Sequence, residues 1–410
     1  MKTQTTHYSS FFAFLLSSIG ALFLFTLAFI LGMASLFTYL SENKADVQTT
    51  VYSANIFFLG VLLVVVSVIS ILRFLNKPAA DTKVSTSFGV WKIAFGVIGA
   101  GLALLIGSLI KDNTSVNWLL LPMLTIPAVL FPIWTIVGLG TKNLSLGSRW
   151  RTWSVLGFSL TVTPLILFVL ETLIVIAAVF ALVVYAAANP DVASAFEKFT
   201  SQFMYLDIQS EEALQLLAPY ILKPVVIIPI TIFFSILVPM LEELIKPLVV
   251  WILAGKLESA AQGFALGALS GTGFAIIETF NVSGQVIEWD TVLIMRIGTA
   301  LLHITTTALM GGAIYLAIRE RRYLRLLGTY LLAVLLHGLW NASAVTVSFS
   351  ALAATGNLSD VLQWVSLGSL ILIAVVLLII LLTSNHRFKT TEPVEIVDVQ
   401  PPKPPMDETI

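Results

Sequence analysis

Apolar runs of twenty or more residues recur along this chain of 410 residues, and they decide which class of structure it can adopt. A run of this length suits an α-helix that crosses a bilayer, because every backbone polar group is then bonded within its own helix. Charged residues make up 11% of the chain, less than half of the roughly one quarter found in soluble proteins. The sequence therefore predicts an all-α, polytopic membrane helix bundle.

Ten transmembrane helices are predicted. They lie at about 11–39, 51–75, 88–110, 118–138, 153–187, 222–254, 262–284, 292–318, 327–350 and 362–384. Of the 22 Lys and Arg residues, 16 fall on one side of this arrangement and 4 on the other, while Lys246 and Arg296 lie inside helices. Because positively charged loops remain in the cytoplasm, both termini are predicted to be cytoplasmic, in a multi-pass protein of the plasma membrane.

The spans divide into segments of different character. Residues 1–217 form an N-terminal module of five helices, which ends in an external amphipathic segment at about 188–217. This segment is expected to rest at the membrane interface or to cover the outer mouth of the bundle. Residues 218–350 hold the next four spans and residues 351–384 the last one. The proline-rich residues 385–410 are predicted to form a disordered cytoplasmic tail.

Charge and cysteine content exclude several functions. A net charge of −1 provides no basic surface for nucleic acid. The chain has no cysteine, which excludes disulfides, thiol nucleophiles, thiolate zinc sites and iron–sulfur clusters. The partner that the apolar runs indicate is instead the lipid bilayer.

Ionisable side chains inside the spans are few, and each costs about 2.5–3.5 kcal/mol near the bilayer centre. They are Glu171, Glu242, Glu243, Lys246, Glu278 and Arg296, together with His303 and His337. All except Glu171 belong to four consecutive spans, the sixth to the ninth. Such a concentration in neighbouring helices indicates one internal polar site.

The sixth span carries Glu242, Glu243 and Lys246 between two prolines, Pro239 and Pro247. Adjacent residues differ by about 100° around a helix, so one glutamate can face a cavity while the other turns towards the lysine. Lys246 follows the glutamates by three and four residues, the spacing of a helical ion pair. The prolines are expected to kink the helix.

Small residues and a polar pair mark two of the following spans. Glycines recur at four-residue intervals in the seventh span, at Gly263, Gly267 and Gly271. This spacing predicts a close helix contact that presses Glu278 against its neighbours. On the ninth span, His337 and Asn341 are four residues apart and share one face, so the amide can orient the imidazole or bind a reaction oxygen.

These motifs together resemble the PrsW family of intramembrane proteases, which is related to the CAAX prenyl proteases and the Abi proteins. The motifs are Glu242-Glu243-x-x-Lys246, Phe274-x-x-x-Glu278, His303 and His337-x-x-x-Asn341. The similarity spans roughly residues 218–350. Thr279 is a departure, since PrsW-like sequences commonly have asparagine after the glutamate of the second motif.

The resemblance implies hydrolysis of a peptide bond in an anti-sigma-factor-like or other single-span membrane protein. Its catalytic residues would be Glu242, Glu243, Glu278, His303, His337 and Asn341. One of the two adjacent glutamates would activate water, a histidine would transfer a proton or polarise the carbonyl, and the asparagine would donate to the oxyanion. A metal-free glutamic mechanism and a zinc site are both open. The candidate zinc ligands are His303, His337, Glu243 and Glu278.

Two other functions are alternatives. A proton- or cation-coupled transporter would use the carboxylates as ion sites, but it predicts matching broken helices in both halves of the chain. No comparable cluster occurs in residues 1–217. A non-catalytic scaffold or immunity-type membrane protein would keep the fold without the chemistry, and the complete set of glutamate, histidine and asparagine argues against it.

Overall fold

The computed structural model describes residues 7–42, 46–113, 115–189, 193–194, 197, 200–201, 218–219, 222–285, 288–352 and 357–391. Within these residues, ten helices are long and apolar enough to cross a membrane. They confirm the predicted all-α bundle of ten spans. Most of the predicted amphipathic segment at 188–217 lies outside the described residues, as does the tail from residue 392 onwards.

The first half of the chain contains five membrane helices and a short two-stranded ribbon. In chain order the elements are α1 (Tyr8–Glu42), α2 (Val47–Phe74), α3 (Pro78–Asp81), β1 (Lys83–Ser85), α4 (Val90–Ile110), α5 (Asn117–Gly140), β2 (Ser145–Ser148) and α6 (Arg149–Ala188). β1 and β2 pair antiparallel, with Val84 opposite Gly147. This ribbon was not predicted, and it ties the connection before α4 to the connection before α6.

The sixth span is interrupted instead of forming one straight helix. It consists of α7 (Pro224–Ile232), a π-helical turn (Phe233–Leu237), α8 (Val238–Ile245), α9 (Leu248–Leu253) and a 3₁₀ turn (Ala254–Lys256). Pro247 separates α8 from α9, because proline has no N–H to continue the helical hydrogen bonds. The predicted break at this proline is therefore present, and a π-helical turn immediately before α8 accompanies it.

The remaining spans are α10 (Ala260–Val282), α11 (Trp289–Glu320), α12 (Tyr323–Leu352) and α13 (Asn357–Thr391). In α10 and α11, 89% and 83% of the most apolar window is buried, against 44% or less in every other described span. These two helices therefore form the centre of the bundle. The other helices surround them and turn large apolar side chains towards lipid.

The glycines of α10 allow it to pack directly on the backbone of α11. A Cβ atom on Gly263 would lie 2.5 Å from the carbonyl oxygen of Gly311, and one on Gly271 would lie 2.9 Å from the Cα of Ile304. No side chain larger than hydrogen fits at these distances. The close helix contact predicted from the glycine spacing is thus confirmed, and it fixes the position of the segment that carries His303.

The first five helices are attached to this centre by buried hydrogen bonds. The indole N–H of Trp289 donates to the hydroxyl of Thr125 on α5 at 2.9 Å, and the amide of Asn55 on α2 donates to the hydroxyl of Ser283 at 2.8 Å. Trp289 is fully buried. The N-terminal helices therefore pack on α10 and α11 as part of the same bundle.

Helix α13 is longer than the sequence indicated. It continues to Thr391, so residues 385–391, which were predicted to belong to a disordered tail, are helical. The reason is a contact with the end of α5: the Asn385 amide is buried and donates to the carbonyl oxygens of Gly140 and Lys142, at 2.9 and 3.1 Å. The spacing of apolar residues cannot reveal such a distant contact.

Candidate active site

Four helices bring the predicted polar residues into one cluster. α8 and the residue after it contribute Glu242, Glu243 and Lys246, α10 contributes Glu278, α11 contributes His303, and α12 contributes His337. Both adjacent glutamates, the lysine and both histidines are buried, with at most 6% of their surface exposed. Glu278 is half-buried. The concentration of ionisable residues in the sixth to ninth spans therefore corresponds to a single site.

Lys246 lies close to three other residues of the cluster. Its ammonium donates to Glu243, and its Nζ lies 2.9 Å from Nδ1 of His303 and 3.6 Å from Oε2 of Glu242. An ammonium group has no acceptor atom, so Nδ1 of His303 must accept this hydrogen bond. A neutral His303 therefore carries its proton on Nε2.

The proton on Nε2 of His303 points to Glu278, which accepts a short hydrogen bond from it. Glu278 is held from its other side by Arg296, whose Nη1 donates to Oε1 at 3.0 Å. Arg296 also donates through Nε to the hydroxyl of Thr279, at 3.4 Å. The sequence placed Arg296 inside a span without a catalytic role, and the structure makes it the partner of a site carboxylate.

His337 is oriented in the same manner by the second glutamate of α8. Its Nδ1 lies 2.8 Å from Oε1 of Glu243, and a carboxylate can only accept, so Nδ1 of a neutral imidazole carries the proton. Nε2 then holds a lone pair, which faces Oε2 of Glu242 at 3.9 Å. Each histidine thus donates one N–H to a carboxylate and turns its other nitrogen towards the centre of the site.

Glu242 occupies that centre. Its Oε2 lies 3.9 Å from Nδ1 of His303 and 3.9 Å from Nε2 of His337, too far for a hydrogen bond to either. This oxygen is buried and has no hydrogen-bond partner. Buried polar atoms almost always have a hydrogen-bond partner, so a carboxylate oxygen that lacks one and lies 3.9 Å from a nitrogen of each histidine indicates a place for water or for an ion.

The same three residues form a candidate metal site. One ligand atom from each of Glu242, His303 and His337 lies within 4.8 Å of the others. Ligands about 2.1 Å from a tetrahedral zinc ion would be about 3.4 Å apart, so small side-chain rotations would close the observed separations. Metal-ligating histidines usually donate their second N–H to a carboxylate, as both do here.

The donor set therefore fits zinc, although Lys246 competes with the ion for one nitrogen of His303. Lys246 holds the Nδ1 lone pair of His303 that an ion would take, so a bound ion would leave the ammonium paired with Glu243. Of the four ligands predicted from the sequence, His303 and His337 belong to this group. Glu243 and Glu278 bind the outer nitrogens of these histidines instead, and Glu242 takes the inner position.

A cavity of about 640 Å³ gives access to the cluster. The site residues that line it are Glu242, Glu278, His337 and Asn341. Glu243 does not line it and has no exposed surface. The structure thus separates the two adjacent glutamates, because Glu242 faces the cavity while Glu243 lies behind it. Glu171 of α6, which the sequence left isolated, lines the same cavity.

Asn341 connects α12 to the interrupted sixth span. Its Nδ2 donates to the carbonyl oxygen of Phe234 in the π-helical turn at 2.8 Å. The hydroxyl of Tyr330 makes a second such bond, to the carbonyl oxygen of Met240 at 2.9 Å. The backbone at the mouth of the cavity is thereby fixed to the helix that carries His337.

Ser270 is a supporting residue whose role the sequence did not reveal. Its hydroxyl donates to the backbone carbonyl of Lys246 at 2.6 Å and lies 2.8 Å from the hydroxyl of Ser159 on α6. It therefore joins α6, α10 and the end of α8 directly beneath the cluster. A serine in a run of small apolar residues has no distinctive pattern, so only the fold identifies this contact.

A comparison with known protein families agrees with this geometry. The model of the family described as "PrsW family intramembrane metalloprotease" matches residues 152–382, which is 231 of the 410 residues and includes the whole cluster. The match begins in α6, earlier than the resemblance read from the motifs. No curated protein and no solved structure matched the chain. The chain is thus a multi-pass membrane protein that belongs to the PrsW family of intramembrane metalloproteases.

Proposed function

We propose that this protein is an endopeptidase that hydrolyses a peptide bond of a membrane-embedded or membrane-adjacent protein, with Glu242 as its general base. One observation carries the proposal. Oε2 of Glu242 is a buried acceptor with no hydrogen-bond partner, it lies 3.9 Å from a nitrogen of each histidine, and the Glu242 side chain lines the cavity. A water molecule that donates one hydrogen to Glu242 and one to His337 suits this separation.

Hydrolysis then follows from the acceptors around this water. As its oxygen attacks the scissile carbonyl carbon, one proton passes to the carboxylate of Glu242, which acts as general base. The C–N bond breaks when this proton is delivered to the leaving amine nitrogen. Lys246 and Glu243 pair with each other beside Glu242, and Glu278 holds the proton of His303 on Nε2, so that Nδ1 faces the centre of the site.

Asn341 supports the negative charge that develops on the carbonyl oxygen. An amide nitrogen has two hydrogens, and one of them is bound to the carbonyl oxygen of Phe234. The second is free for the oxyanion, since Asn341 lines the cavity together with Glu242. Fixed donors of this kind are often the largest single contribution to catalysis of acyl transfer.

A zinc ion would be held by Glu242, His303 and His337. When bound, it would polarise the scissile carbonyl and make a water molecule more acidic. The carboxylates of Glu243 and Glu278 would then orient the two imidazole ligands. Cleavage that is lost when a chelator is added would indicate this metallopeptidase mechanism, and cleavage that persists would indicate the glutamic mechanism.

The substrate that suits this site is a single-span membrane protein of the anti-sigma-factor type, as the resemblance to the PrsW family implies. The division of Lys and Arg residues, 16 against 4, supports the cytoplasmic position of both termini in the plasma-membrane protein that we propose. A cavity of about 640 Å³ that is bounded by membrane helices can receive a short segment of a substrate from the bilayer.

The test uses purified protein in lipid nanodiscs, incubated with a panel of single-span membrane proteins and analysed for new fragments by mass spectrometry. We expect cleavage by the wild type, and a loss of at least about 100-fold in Glu242→Gln, as expected when a general base is removed. Glu320→Gln is the matched control, because this exposed glutamate pairs only with Arg322 among the residues that the structure describes, far along α11 from His303. Cleavage by Glu242→Gln at the wild-type rate would refute the assignment.

A second comparison addresses an incomplete panel. Membrane-protein fragments from cells that express the wild type and from cells that express Glu242→Gln should differ in at least one protein. If the purified protein cleaves nothing and the two cell profiles are also identical, the proposed protease function is wrong.

A further inference from the structure

Glu171 is the carboxylate of the cavity that has no counter-charge among the described residues. Glu242 and Glu243 both lie beside Lys246, and Glu278 pairs with Arg296. Glu171 makes no hydrogen bond or ion pair with any residue that the structure describes. It lies on α6 in the cavity wall, half-buried. Ionisable groups inside membrane spans normally pair with one another or mark the path of a ligand.

A second polar side chain of the same cavity also has a free acceptor. Asn55 of α2 is 99% buried, and its Nδ2 donates to the hydroxyl of Ser283 at 2.8 Å and to the carbonyl oxygen of Phe280 at 3.4 Å. These two acceptors fix the orientation of the amide. Its Oδ1 is buried without a partner. The N-terminal helices thus supply two acceptors to the cavity, and no described donor uses either of them.

Apolar side chains line the same cavity, among them Leu59 of α2 and Leu167 and Phe168 of α6. An aliphatic stem can lie along such a wall while a cationic head reaches the carboxylate, as lysine and arginine side chains do near membranes. Of the two, the guanidinium has five N–H donors in a fixed plane and can serve several acceptors at once.

We propose that Glu171 and Asn55 form a substrate subsite for a basic side chain, preferably arginine, close to the scissile peptide bond. The inference rests on the proposed function, since the subsite shares its cavity with Glu242. The substrates are then membrane proteins with an arginine or lysine inside or at the edge of the span that is cut. Asn55 lies outside the family-matched residues 152–382, so this preference belongs partly to the N-terminal helices.

The test measures binding, so that it does not depend on cleavage. The probes are two synthetic polyleucine transmembrane peptides, one with arginine at its centre and one with citrulline, which has almost the same shape but no charge. Each is titrated into nanodiscs that contain the Glu242→Gln variant, and binding is followed by fluorescence quenching. We expect the arginine peptide to bind at least about 30-fold more tightly, as for other desolvated charge pairs.

Three further variants, made in the Glu242→Gln background, locate the effect. Glu171→Gln should reduce the preference for arginine to less than about 3-fold, since an amide keeps the shape of the side chain without its charge. Glu171→Lys should reverse it, so that a peptide with a central glutamate binds best. Glu320→Gln should leave the preference unchanged, because this glutamate lies outside the cavity.

Equal binding of the two peptides, or a preference for arginine that survives in Glu171→Gln, overturns the subsite. The outcome for the protease is separate. Charge-selective binding, together with no cleavage by the purified wild type and identical cell profiles, would refute the proposed function and keep the subsite. Cleavage without charge-selective binding would support the proposed function and refute the subsite.

Discussion

Replacing Gly271 by alanine tests whether the close contact between α10 and α11 sets the geometry of the site. A Cβ atom at this position would come closest to the carbonyl oxygen of His303, and it would lie 2.9 Å from the carbonyl carbon of His303 and 2.9 Å from the Cα of Ile304. Carbon atoms come into favourable contact at about 3.5 Å. The two backbones must therefore separate by roughly 0.6 Å, and the shift acts directly on the residue that faces Glu242.

We expect two measurable consequences of Gly271→Ala. Overpacking of a well-packed contact lowers the free energy of unfolding by about 1–3 kcal/mol. Displacement of a reacting group by about 1 Å can cost about 100-fold in rate, so a shift of roughly 0.6 Å should lower kcat/KM by about 10- to 100-fold. Thermal unfolding in detergent measures the first effect and cleavage of a substrate protein the second.

Gly328→Ala is the matched control. This glycine lies on the exposed face of α12, and a methyl group added to its Cα would have no neighbouring atom within 4 Å. Alanine should therefore keep full activity and leave stability unchanged or slightly higher. If Gly271→Ala unfolds and cleaves like the wild type, the contact does not constrain His303 and the reasoning is wrong.

Three further predictions concern the charges of the site. Glu243→Gln should lower the free energy of unfolding by about 3–5 kcal/mol, because it removes the closest partner of the fully buried Lys246; an unfolding temperature like that of the wild type would contradict this. Arg296→Gln should reduce the cleavage rate by about 10- to 100-fold by releasing Glu278 from its outer partner, and Arg296→Lys should keep more of the rate than Arg296→Gln does. Wild-type cleavage rates in both variants would show that the contact is dispensable. Zinc added to chelator-treated protein should bind in one equivalent, as measured by elemental analysis, and Glu242→Gln should weaken this binding at least about 10-fold; unchanged zinc affinity would exclude Glu242 as a ligand.

The number of spans and the helices that form the site could be predicted because lipid leaves the backbone few alternatives. Apolar runs locate the helices, and isolated charges such as Glu278 stand out against them. The glycine spacing also predicted that α10 makes a close helix contact, since the absence of a Cβ is a local property of the sequence.

The orientation of individual side chains was harder to predict from the sequence. Glu242 and Glu243 are neighbours with the same chemistry, and which of them faces the cavity depends on the rotation of α8 after the π-helical turn. Glu171 seemed isolated because its relation to the site exists only once α6 packs beside α10. The extension of α13 around Asn385 could not be predicted, because the acceptors of this residue on and beside α5 lie more than 240 residues earlier in the chain.

The distribution of the site over α8, α10, α11 and α12 has a consequence for biosynthesis. Membrane helices emerge from the ribosome in chain order, and His337 and Asn341 are among the last of the polar groups to be made. Until α12 has entered the bilayer, Glu243 lacks its imidazole partner and the carbonyl oxygen of Phe234 lacks the amide that binds it. Under the proposed mechanism, a nascent or truncated chain that ends before α12 would therefore have no hydrolytic activity.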